Sequence, residues 1–342
     1  MAITLTSLQD LSYDDIIDVR APAEFAEDHI PGAINLPVLD DAERARVGTI
    51  YKQVNPFTAR KLGAALVAQN AARHLQTVLA DRPGGWRPLV YCWRGGQRSG
   101  SFAMILAQIG WRVDTIQGGY KAWRGLVVDA MYHQPFPAPM IVLDGNTGSG
   151  KTALLPHLAA KGVQVLDLEG LAHHRGSLFG ANGVQPSQKA FETALAYQIK
   201  SLDPSRPVVV EAESSKIGNC RLPAALWKAM VSAPRITINA PRAARAAHLV
   251  TAYPDMITDP ARLSLIIAAL RPSHAAELIE DWQSMAQAGD FATLANSLMQ
   301  HHYDPRYDKH RARLEHQDWV IDAGDLFVAT LVQIASQIAA KI

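Results

Sequence analysis

A glycine-rich motif near the middle of the chain constrains the fold more than any other feature. The apolar run Met140 to Asp144 leads into residues 145–152, whose sequence GNTGSGKT has the form G-x-x-x-x-G-K-T. This form requires a buried strand before it and a helix after it, because the loop N–H groups and the helix N-terminus together surround a diphosphate. The motif therefore predicts an α/β domain with a parallel sheet.

The motif contains the candidate diphosphate-binding residues, which are Gly145, Asn146, Gly148, Gly150, Lys151 and Thr152. Lys151 would neutralise the terminal phosphoryl oxygens, and the hydroxyl group of Thr152 would bind Mg²⁺. Nothing in the motif itself selects adenine. The motif thus predicts a diphosphate site with Mg²⁺ as its metal.

Two polar segments of the same domain supply candidate metal or substrate ligands. Glu211 and Glu213 follow the apolar run Pro207 to Val210, where many P-loop enzymes have an aspartate that orients Mg²⁺. A structural acid at a strand end is an equally good interpretation. A second segment contains His173, His174 and Arg175 between glycines, and we place it at the phosphate or substrate site. A zinc site there is disfavoured, because no cysteine is nearby.

A second loop, residues 92–99, combines a cysteine with glycines and arginines. Cys92 follows the apolar residues Leu89 and Val90 and precedes a helical pattern. Loop N–H groups and the dipole of the following helix favour a thiolate at this position. We interpret Cys92 as a nucleophile or sulfur carrier, in an anion pocket shaped by Arg94, Gly95, Gly96 and Arg98. The Cys-x5-Arg spacing would also suit a cysteine phosphatase.

The order of predicted elements indicates two domains. Strands and helices alternate in residues 1–125, which predicts a parallel sheet, and a helical addition spans Val38 to about Ala80. A Pro-rich linker at 126–139 separates this domain from a P-loop domain at 140–342, whose segment from about 241 to 300 is mostly helical.

Composition sets the class of protein and its compartment. The 342 residues can form two domains, with 48% apolar and 19% charged residues. No apolar run of eighteen residues and no signal-peptide pattern is present, so we expect a cytoplasmic protein with no membrane partner. With only Cys92 and Cys220, a reactive thiol in a reducing compartment is favoured over a disulfide.

The net charge of +1 means that a nucleic-acid contact would have to come from a local patch. One candidate patch contains Arg235, Arg242 and Arg245. The other contains Arg306 and Arg311, within the segment His301 to Arg313. Ordinary solvated charges are an equally good interpretation of either patch.

Three motifs around the cysteine loop resemble those of the rhodanese family. They are Asp18 to Phe25, His29 to Pro37 and Gln117 to Trp123, in the order that the family has them. The resemblance implies that the loop cysteine carries sulfur or selenium as a persulfide-type species. The fold class expected is α/β, with an N-terminal rhodanese-like parallel-sheet domain and a C-terminal P-loop NTPase-like α/β domain with helical additions.

The combination of both loops resembles the tRNA 2-selenouridine synthase family over nearly the whole length. Further matching segments are Asp167 to Gly180, Gln185 to Glu192, Glu211 to Gly218 and His302 to Pro305. The resemblance implies a transferase that acts on tRNA with 2-thiouridine at the wobble position. Selenophosphate would supply the selenium that replaces sulfur, and geranyl diphosphate would first alkylate that sulfur.

The same resemblance implies that Cys92 is the catalytic thiol of selenation and that no bound redox cofactor is needed. One departure concerns Ala212, which stands where the family usually has a second acidic residue. Two other functions keep the same domains. One is an ATP-dependent rhodanese-type sulfurtransferase, which would need nucleotide turnover; the other is a nucleotide-gated binding module, which would tolerate Cys92→Ala.

Overall fold

The chain forms two compact units. The computed structural model describes residues 1–8, 11–181, 183–311 and 319–342. The first unit contains Met1–Pro135 and Pro186–Ser201, and the second contains Phe136–Gln185 and Leu202–Ile342. The step from the first unit to the second thus falls inside the predicted linker at 126–139. Part of that linker is helical, however, since a π-helical turn spans Asp129–His133.

The first unit is built on a five-stranded parallel sheet with the order β1-β5-β4-β2-β3. The strands are β1 (Ala2–Ile3), β2 (Asp15–Asp18), β3 (Ala33–Asn35), β4 (Pro88–Tyr91) and β5 (Asp114–Ile116). The helices are α1 (Pro22–Glu27), α2 (Asp41–Gln53), α3 (Pro56–Gln76), α4 (Gln97–Gln108) and α5 (Gly119–Val128). The predicted helical addition from Val38 to Ala80 corresponds to the pair α2 and α3.

The centre of this sheet places Cys92 at a strand end. All four residues of β4 are buried, because helices cover both faces of the sheet. Val90 packs in one core cluster with Ile17 of β2 and with Phe102 and Leu106 of α4. Cys92 follows β4 directly, at the carboxyl edge where ligand sites of parallel sheets lie.

The turn between β5 and α5 packs against the cysteine loop. Gly119 has a φ of +58°, and a Cβ atom there would lie 2.2 Å from the carbonyl oxygen of Cys92 and 2.5 Å from the nitrogen of Gly95. The backbone N–H of Tyr120 donates to the same Cys92 carbonyl at 2.8 Å. Only glycine fits this close approach, and it fixes the position of the loop backbone.

The second unit has its own five-stranded parallel sheet, with the order β12-β11-β6-β8-β7. The remaining strands of the chain are β6 (Met140–Asp144), β7 (Gln164–Leu166), β8 (Val208–Glu211), β9 (Lys216–Ile217), β10 (Cys220–Arg221), β11 (Arg235–Asn239) and β12 (Trp319–Asp322). The strands β9 and β10 pair antiparallel outside the main sheet. Both units therefore confirm the predicted α/β class.

The helices that follow α5 differ in the unit that they join. They are α6 (Lys151–Ala160), α7 (Leu168–Ala172), α8 (Gln188–Lys200), α9 (Ala224–Ser232), α10 (Arg242–Ala252), α11 (Pro254–Ile257), α12 (Pro260–Ala268), α13 (Ala276–Ala288), α14 (Phe291–Leu298), α15 (Asp304–Arg311) and α16 (Val328–Ala339). The helix α6 runs through Pro156, which stands in its second turn. None of the described helices is both long and apolar enough to cross a membrane.

The helix α8 belongs to the first unit, which differs from the predicted domain at 140–342. Thr193 donates its hydroxyl hydrogen to the buried Asp28 at 2.9 Å, and Tyr132 donates to Glu192 at 2.5 Å. Arg124 of α5 forms an ion pair with the same Glu192. These buried polar contacts explain why Pro186–Ser201 is part of the rhodanese-like unit.

The helical segment predicted at about 241–300 corresponds to α10–α14. Its apolar side chains form a separate cluster that contains Trp282, Leu263, Ile267 and Leu270. Leu263 and Ile267 of α12 are thus core residues.

We predict that Gly119→Ala lowers the free energy of unfolding by about 2–4 kcal/mol, because the added methyl group would overlap the backbone of the cysteine loop. Gly125→Ala is the matched control in the same helix, since a Cβ atom there meets nothing within 4 Å. Alanine in a helix interior is favoured over glycine, so the control should lose no stability. Calorimetric unfolding of both variants tests this, and equal stability would contradict the close packing.

Candidate active sites in the two units

The sulfur atom of Cys92 lies in a cradle of hydrogen-bond donors. Its side chain is 3% exposed. The backbone N–H of Gly96 donates to Sγ at 3.3 Å, and the hydroxyl group of Ser99 donates to it at 3.2 Å. The backbone N–H of Ser99 also stabilises the charged sulfur, so the donors come from the start of α4 as well as from the loop.

The cradle shifts the Cys92 thiol toward its charged form. Burial raises the pKa of this thiol, but the hydrogen bonds from Ser99 and Gly96 and the positive charge of Arg98 together bring the pKa below its ordinary value. A lowered thiol pKa is typical of nucleophilic cysteines. By contrast, burial raises the pKa of Cys220, so this second thiol is the less reactive one.

Of the four residues predicted to shape the anion pocket, three are exposed on the loop and one forms an ion pair. Arg94, Gly95 and Gly96 are exposed. Arg98 binds Glu24 at 2.9 Å, so its charge is partly balanced. Ser99 was not among the predicted site residues, although its place two residues into the helix after the loop is a signal that could have identified it.

The P-loop backbone has the conformation that its glycines require. Gly148 has a φ of +79°, and a Cβ atom there would lie 2.8 Å from Cγ of Leu249. The N–H of Gly145 donates to the carboxylate of Asp144 at 2.6 Å, and Nζ of Lys151 donates to the carbonyl of Gly145 at 2.8 Å. The lysine therefore lies across the loop, where a diphosphate would be held.

Lys151 faces several acidic side chains. Burial lowers its pKa, but electrostatic interactions with Tyr307, Glu213, Asp144 and Glu169 have the opposite and larger combined effect, so the pKa lies above its ordinary value. The ammonium group therefore stays charged and is available to an anionic ligand.

Carboxylates gather around Thr152 at the start of α6. The Thr152 hydroxyl lies 2.7 Å from Oε2 of Glu169 and 3.1 Å from Oε2 of Glu211. Glu211 also accepts a hydrogen bond from the backbone N–H of Glu169 at 2.7 Å. Thr152, Glu211 and Glu213 were predicted from the sequence, whereas Glu169 was not. Glu169 lies in the first turn of α7, three residues after the end of β7.

The crowding of these acids changes their ionisation. Burial raises the pKa of Glu211 well above its ordinary value, and the charges of Glu169 and Asp167 raise it further. Burial, together with the charge of Glu169 and a hydrogen bond to it, raises the pKa of Glu213 to about 8. A cation bound among these groups would relieve their mutual repulsion.

The donor set at Thr152 fits Mg²⁺. In the described part of the chain, no three His, Cys, Asp or Glu side chains form a ready-made metal site. Mg²⁺ does not need one, because it is held by one or two protein oxygens together with phosphate oxygens and water. Thr152, Glu169 and Glu211 offer such oxygens beside the phosphate loop.

The three residues predicted at the phosphate or substrate site, His173, His174 and Arg175, lie in different environments. His173 ends α7 with a φ of +49° and is exposed. His174 has a buried Nδ1 atom with no hydrogen-bond partner among the described residues, and burial lowers its pKa. Arg175 binds Asp255 at 2.9 Å and stacks on the ring of Tyr253 at 4.5 Å, so it anchors the loop to α11.

Two of the basic residues predicted to contact nucleic acid are buried in ion pairs. Arg235 is a correction, because it is 8% exposed and binds Asp144 at 2.9 Å. Arg245 is a correction, because it is 5% exposed and binds Asp304 at 2.8 Å and the carbonyl of Thr147 at 3.0 Å. Arg242 is half-buried and lies 3.4 Å from the same Asp304. Arg306 is exposed, and the side chain of Arg311 lies outside the described residues.

An apolar pocket adjoins the P-loop. It encloses about 590 Å³, part of which is open to solvent. Thr147 of the P-loop forms one wall, and Tyr253, Leu263, Leu294 and Leu298 are among the other lining residues. The glycine-rich loop is thus next to a space suited to hydrocarbon, and no sequence motif predicted this pocket.

We predict that Ser99→Ala raises the pKa of Cys92, because the variant removes a donor that stabilises the thiolate. Alkylation of Cys92 by iodoacetamide, followed against pH by mass spectrometry, should show its inflection at higher pH in the variant. Cys220→Ala serves as the common background, so that one thiol is measured. An unchanged inflection would contradict the role of the hydroxyl group.

We predict that Glu213→Gln stabilises the metal-free protein at pH 8. The folded state keeps a proton on Glu213 that the unfolded chain releases above about pH 4.5, so stability falls as pH rises from 4.5 to about 8. Glutamine keeps a donor for Glu169 and does not ionise. The gain should be about 1–3 kcal/mol at pH 8 and should vanish near pH 4.5.

Thermal unfolding at several pH values measures this difference. Glu277→Gln is the control, since this glutamate is exposed on α13. Identical pH profiles for the two variants would contradict the raised pKa of Glu213.

Comparisons with known proteins agree with the two loops. Residues 4–126 match the rhodanese-like domain, and residues 138–264 match the tRNA 2-selenouridine synthase AAA domain. The tRNA 2-selenouridine synthase of Aeromonas salmonicida is 39% identical over 73% of this chain and 68% of its own length. That of Nitrosomonas europaea is 39% identical over 70% of this chain and 63% of its own length.

A more extended alignment is found with a third relative. The tRNA 2-selenouridine synthase of Hahella chejuensis is 34% identical over 87% of this chain and 85% of its own length. The alignment thus spans most of both proteins at an identity that indicates common descent. The chain belongs to the tRNA 2-selenouridine synthase family.

Proposed function

We propose that this protein replaces the sulfur of 2-thiouridine at the tRNA wobble position with selenium from selenophosphate. The sulfur is first alkylated by geranyl diphosphate, and the resulting S-geranyl group is the one displaced. The coarser part of this proposal, selenation of a tRNA uridine, rests on membership of the family. The geranyl donor is supported by the second unit.

The apolar pocket beside the P-loop is the observation that carries the choice of donor. Thr147 belongs to the diphosphate loop and also lines the pocket, so a ligand in both would join a diphosphate to an apolar group. Most of the lining is aliphatic or aromatic, whereas a nucleotide would need polar partners for its base and ribose. A prenyl diphosphate has the required chemistry.

In the alkylation step, the thiocarbonyl sulfur forms a bond to C1 of the geranyl group, and the base releases its N3 proton to solvent. The C1–O bond breaks, and diphosphate leaves with the electron pair. The P-loop N–H groups and Lys151 stabilise the charge that develops on the leaving oxygen. Mg²⁺, held by Thr152 with Glu169 or Glu211, would supply further charge neutralisation.

In the selenation step, selenium from selenophosphate adds to C2 of the base, and the geranyl thiolate leaves. Attack of water on phosphorus breaks the P–Se bond and releases phosphate. Cys92 is assigned to this step, because the family resemblance makes it the catalytic thiol and its pKa is lowered in the cradle. Alkylation matters because a thiolate is a better leaving group than the sulfur of a thiocarbonyl.

Nucleoside mass spectrometry tests the scheme on 2-thiouridine tRNA with Mg²⁺. We expect a geranyl mass after addition of geranyl diphosphate and a selenium mass after subsequent addition of selenophosphate. Lys151→Ala should lose the first product, and Cys92→Ala should retain the first but lose the second. Lys161→Ala, an exposed lysine just after α6, should behave as the natural protein does.

Two outcomes would contradict the proposal. If the folded protein forms neither product while it hydrolyses ATP, the ATP-dependent sulfurtransferase becomes the better account. If Cys92→Ala still forms the selenium product at the natural rate, the assignment of this cysteine is wrong.

A further inference from the structure

The most basic stretch of the first unit lies in the helical pair α2 and α3. Residues 44–80 include the basic side chains Arg44, Arg46, Lys52, Arg60, Lys61 and Arg73, and no aspartate or glutamate. The chain as a whole has a net charge of only +1. The positive charge is therefore concentrated in the addition to the rhodanese-like fold.

The helix α2 is held as a rigid but exposed element. Asp40 and Glu43 form a capping box at its start, with hydrogen bonds of 2.7 and 2.9 Å. None of its residues is fully buried. Tyr51 is 55% exposed, and Phe57 at the start of α3 is 68% exposed. Exposed aromatic rings among cations are unusual on a surface that meets only water.

Two adjoining clefts connect these side chains to the cysteine loop. They contain about 1320 and 770 Å³ of space open to solvent, and both are lined by Tyr51 and Arg98. Arg44 and Lys52 line the larger cleft, and Arg60 lines the smaller one. Arg98 stands in the first turn of α4, next to Ser99, which donates to the sulfur of Cys92.

The positive charge of the clefts is not balanced within the unit. Glu24 binds both Arg98 at 2.9 Å and Arg44 at 2.8 Å, so one carboxylate serves two guanidinium groups. Lys52 and Arg60 form no ion pair or hydrogen bond with any described residue. A polyanion could therefore bind here without first breaking contacts of these two side chains.

We propose that the clefts between α2, α3 and the first turn of α4 bind single-stranded RNA, with phosphates on Arg44, Lys52 and Arg60 and a base stacked on Tyr51. Stacking on an exposed ring requires an unpaired base, which favours single-stranded RNA over a duplex or an acidic peptide. The proposal rests on the proposed function, and it assigns the surface on which the RNA substrate meets the Cys92 loop.

Fluorescence anisotropy with the full-length protein tests this surface. The probe is a labelled RNA hairpin with a seven-nucleotide loop and no modified base, so binding is measured apart from the chemistry. Lys52→Gln/Arg60→Gln should weaken binding about tenfold. It should also lower the slope of log K against log salt by about 1.4, since each lost phosphate contact of a single strand removes about 0.7.

Arg87→Gln/Arg112→Gln is the matched control, with the same change in net charge. Both arginines are exposed, and they precede β4 and β5, at the edge of the sheet opposite to the cysteine loop. The control should bind the hairpin as the natural protein does. Tyr51→Ala should weaken binding about tenfold, whereas Tyr51→Phe should keep the stacking and the affinity.

The outcomes separate this proposal from the proposed function. If the natural protein binds the hairpin and the Lys52/Arg60 variant binds it as well as the control does, the proposed RNA-binding surface is wrong. The proposal that the substrate is an RNA is then retained. If the natural protein binds no hairpin at low salt, the proposed function fails as well. Displacement of the hairpin by its duplex stem alone, or by polyglutamate at equal charge, would overturn the assignment to single-stranded RNA.

Discussion

Hydrogen-bond donors at the carboxyl end of a central parallel strand are the interaction on which both candidate sites depend. In the first unit, β4 ends at Tyr91 and the loop that follows supplies the donor to the Cys92 sulfur. In the second unit, β6 ends at Asp144 and the next loop forms the diphosphate cradle. A parallel sheet directs every such loop to one edge, and each following helix adds its positive dipole end. The same geometry thus stabilises a thiolate in one unit and suits a diphosphate in the other.

The two sites differ in how their charge is balanced. The Cys92 cradle supplies hydrogen-bond donors and the positive charge of Arg98 to one anion, the thiolate. The thiolate is therefore stabilised without a metal ion. The P-loop site already contains Glu169, Glu211 and Glu213 around one lysine, and their crowding raises the pKa of the last two. Glu213, with a pKa of about 8, keeps its proton at neutral pH, and a bound cation would favour the ionised forms of these acids. The carboxylates beside Thr152 support our proposal that these acids hold Mg²⁺ and its water.

Local sequence patterns predicted most of the strands and helices and the backbone of each site. They failed where contacts between residues distant along the chain determine the position of a helix or side chain. The strand β6 was predicted to the residue, because an apolar run before the glycine-rich motif specifies a buried strand. The helix α8 was assigned to the wrong unit, since its periodicity does not say which core it joins. Arg245 resembles a surface arginine in sequence, yet Asp304, distant along the chain, neutralises it in the interior. Ser99 was missed although it stands at the start of the helix that follows the loop, and Glu169 was missed because its approach to Thr152 depends on how α7 folds.

The presence of the helical pair α2 and α3 is not explained by burial of apolar surface alone. A capped helix with no fully buried residue gains little hydrophobic stabilisation, so α2 contributes little to the stability of the unit. Its basic side chains also lower the stability of the folded state, because like charges that lie close together repel one another. An element with this balance is best explained by what it binds. Since Tyr51 and Arg98 line the same clefts, that ligand would meet the turn that holds the Cys92 sulfur, and the reactive thiol and the recognition surface would act on one molecule.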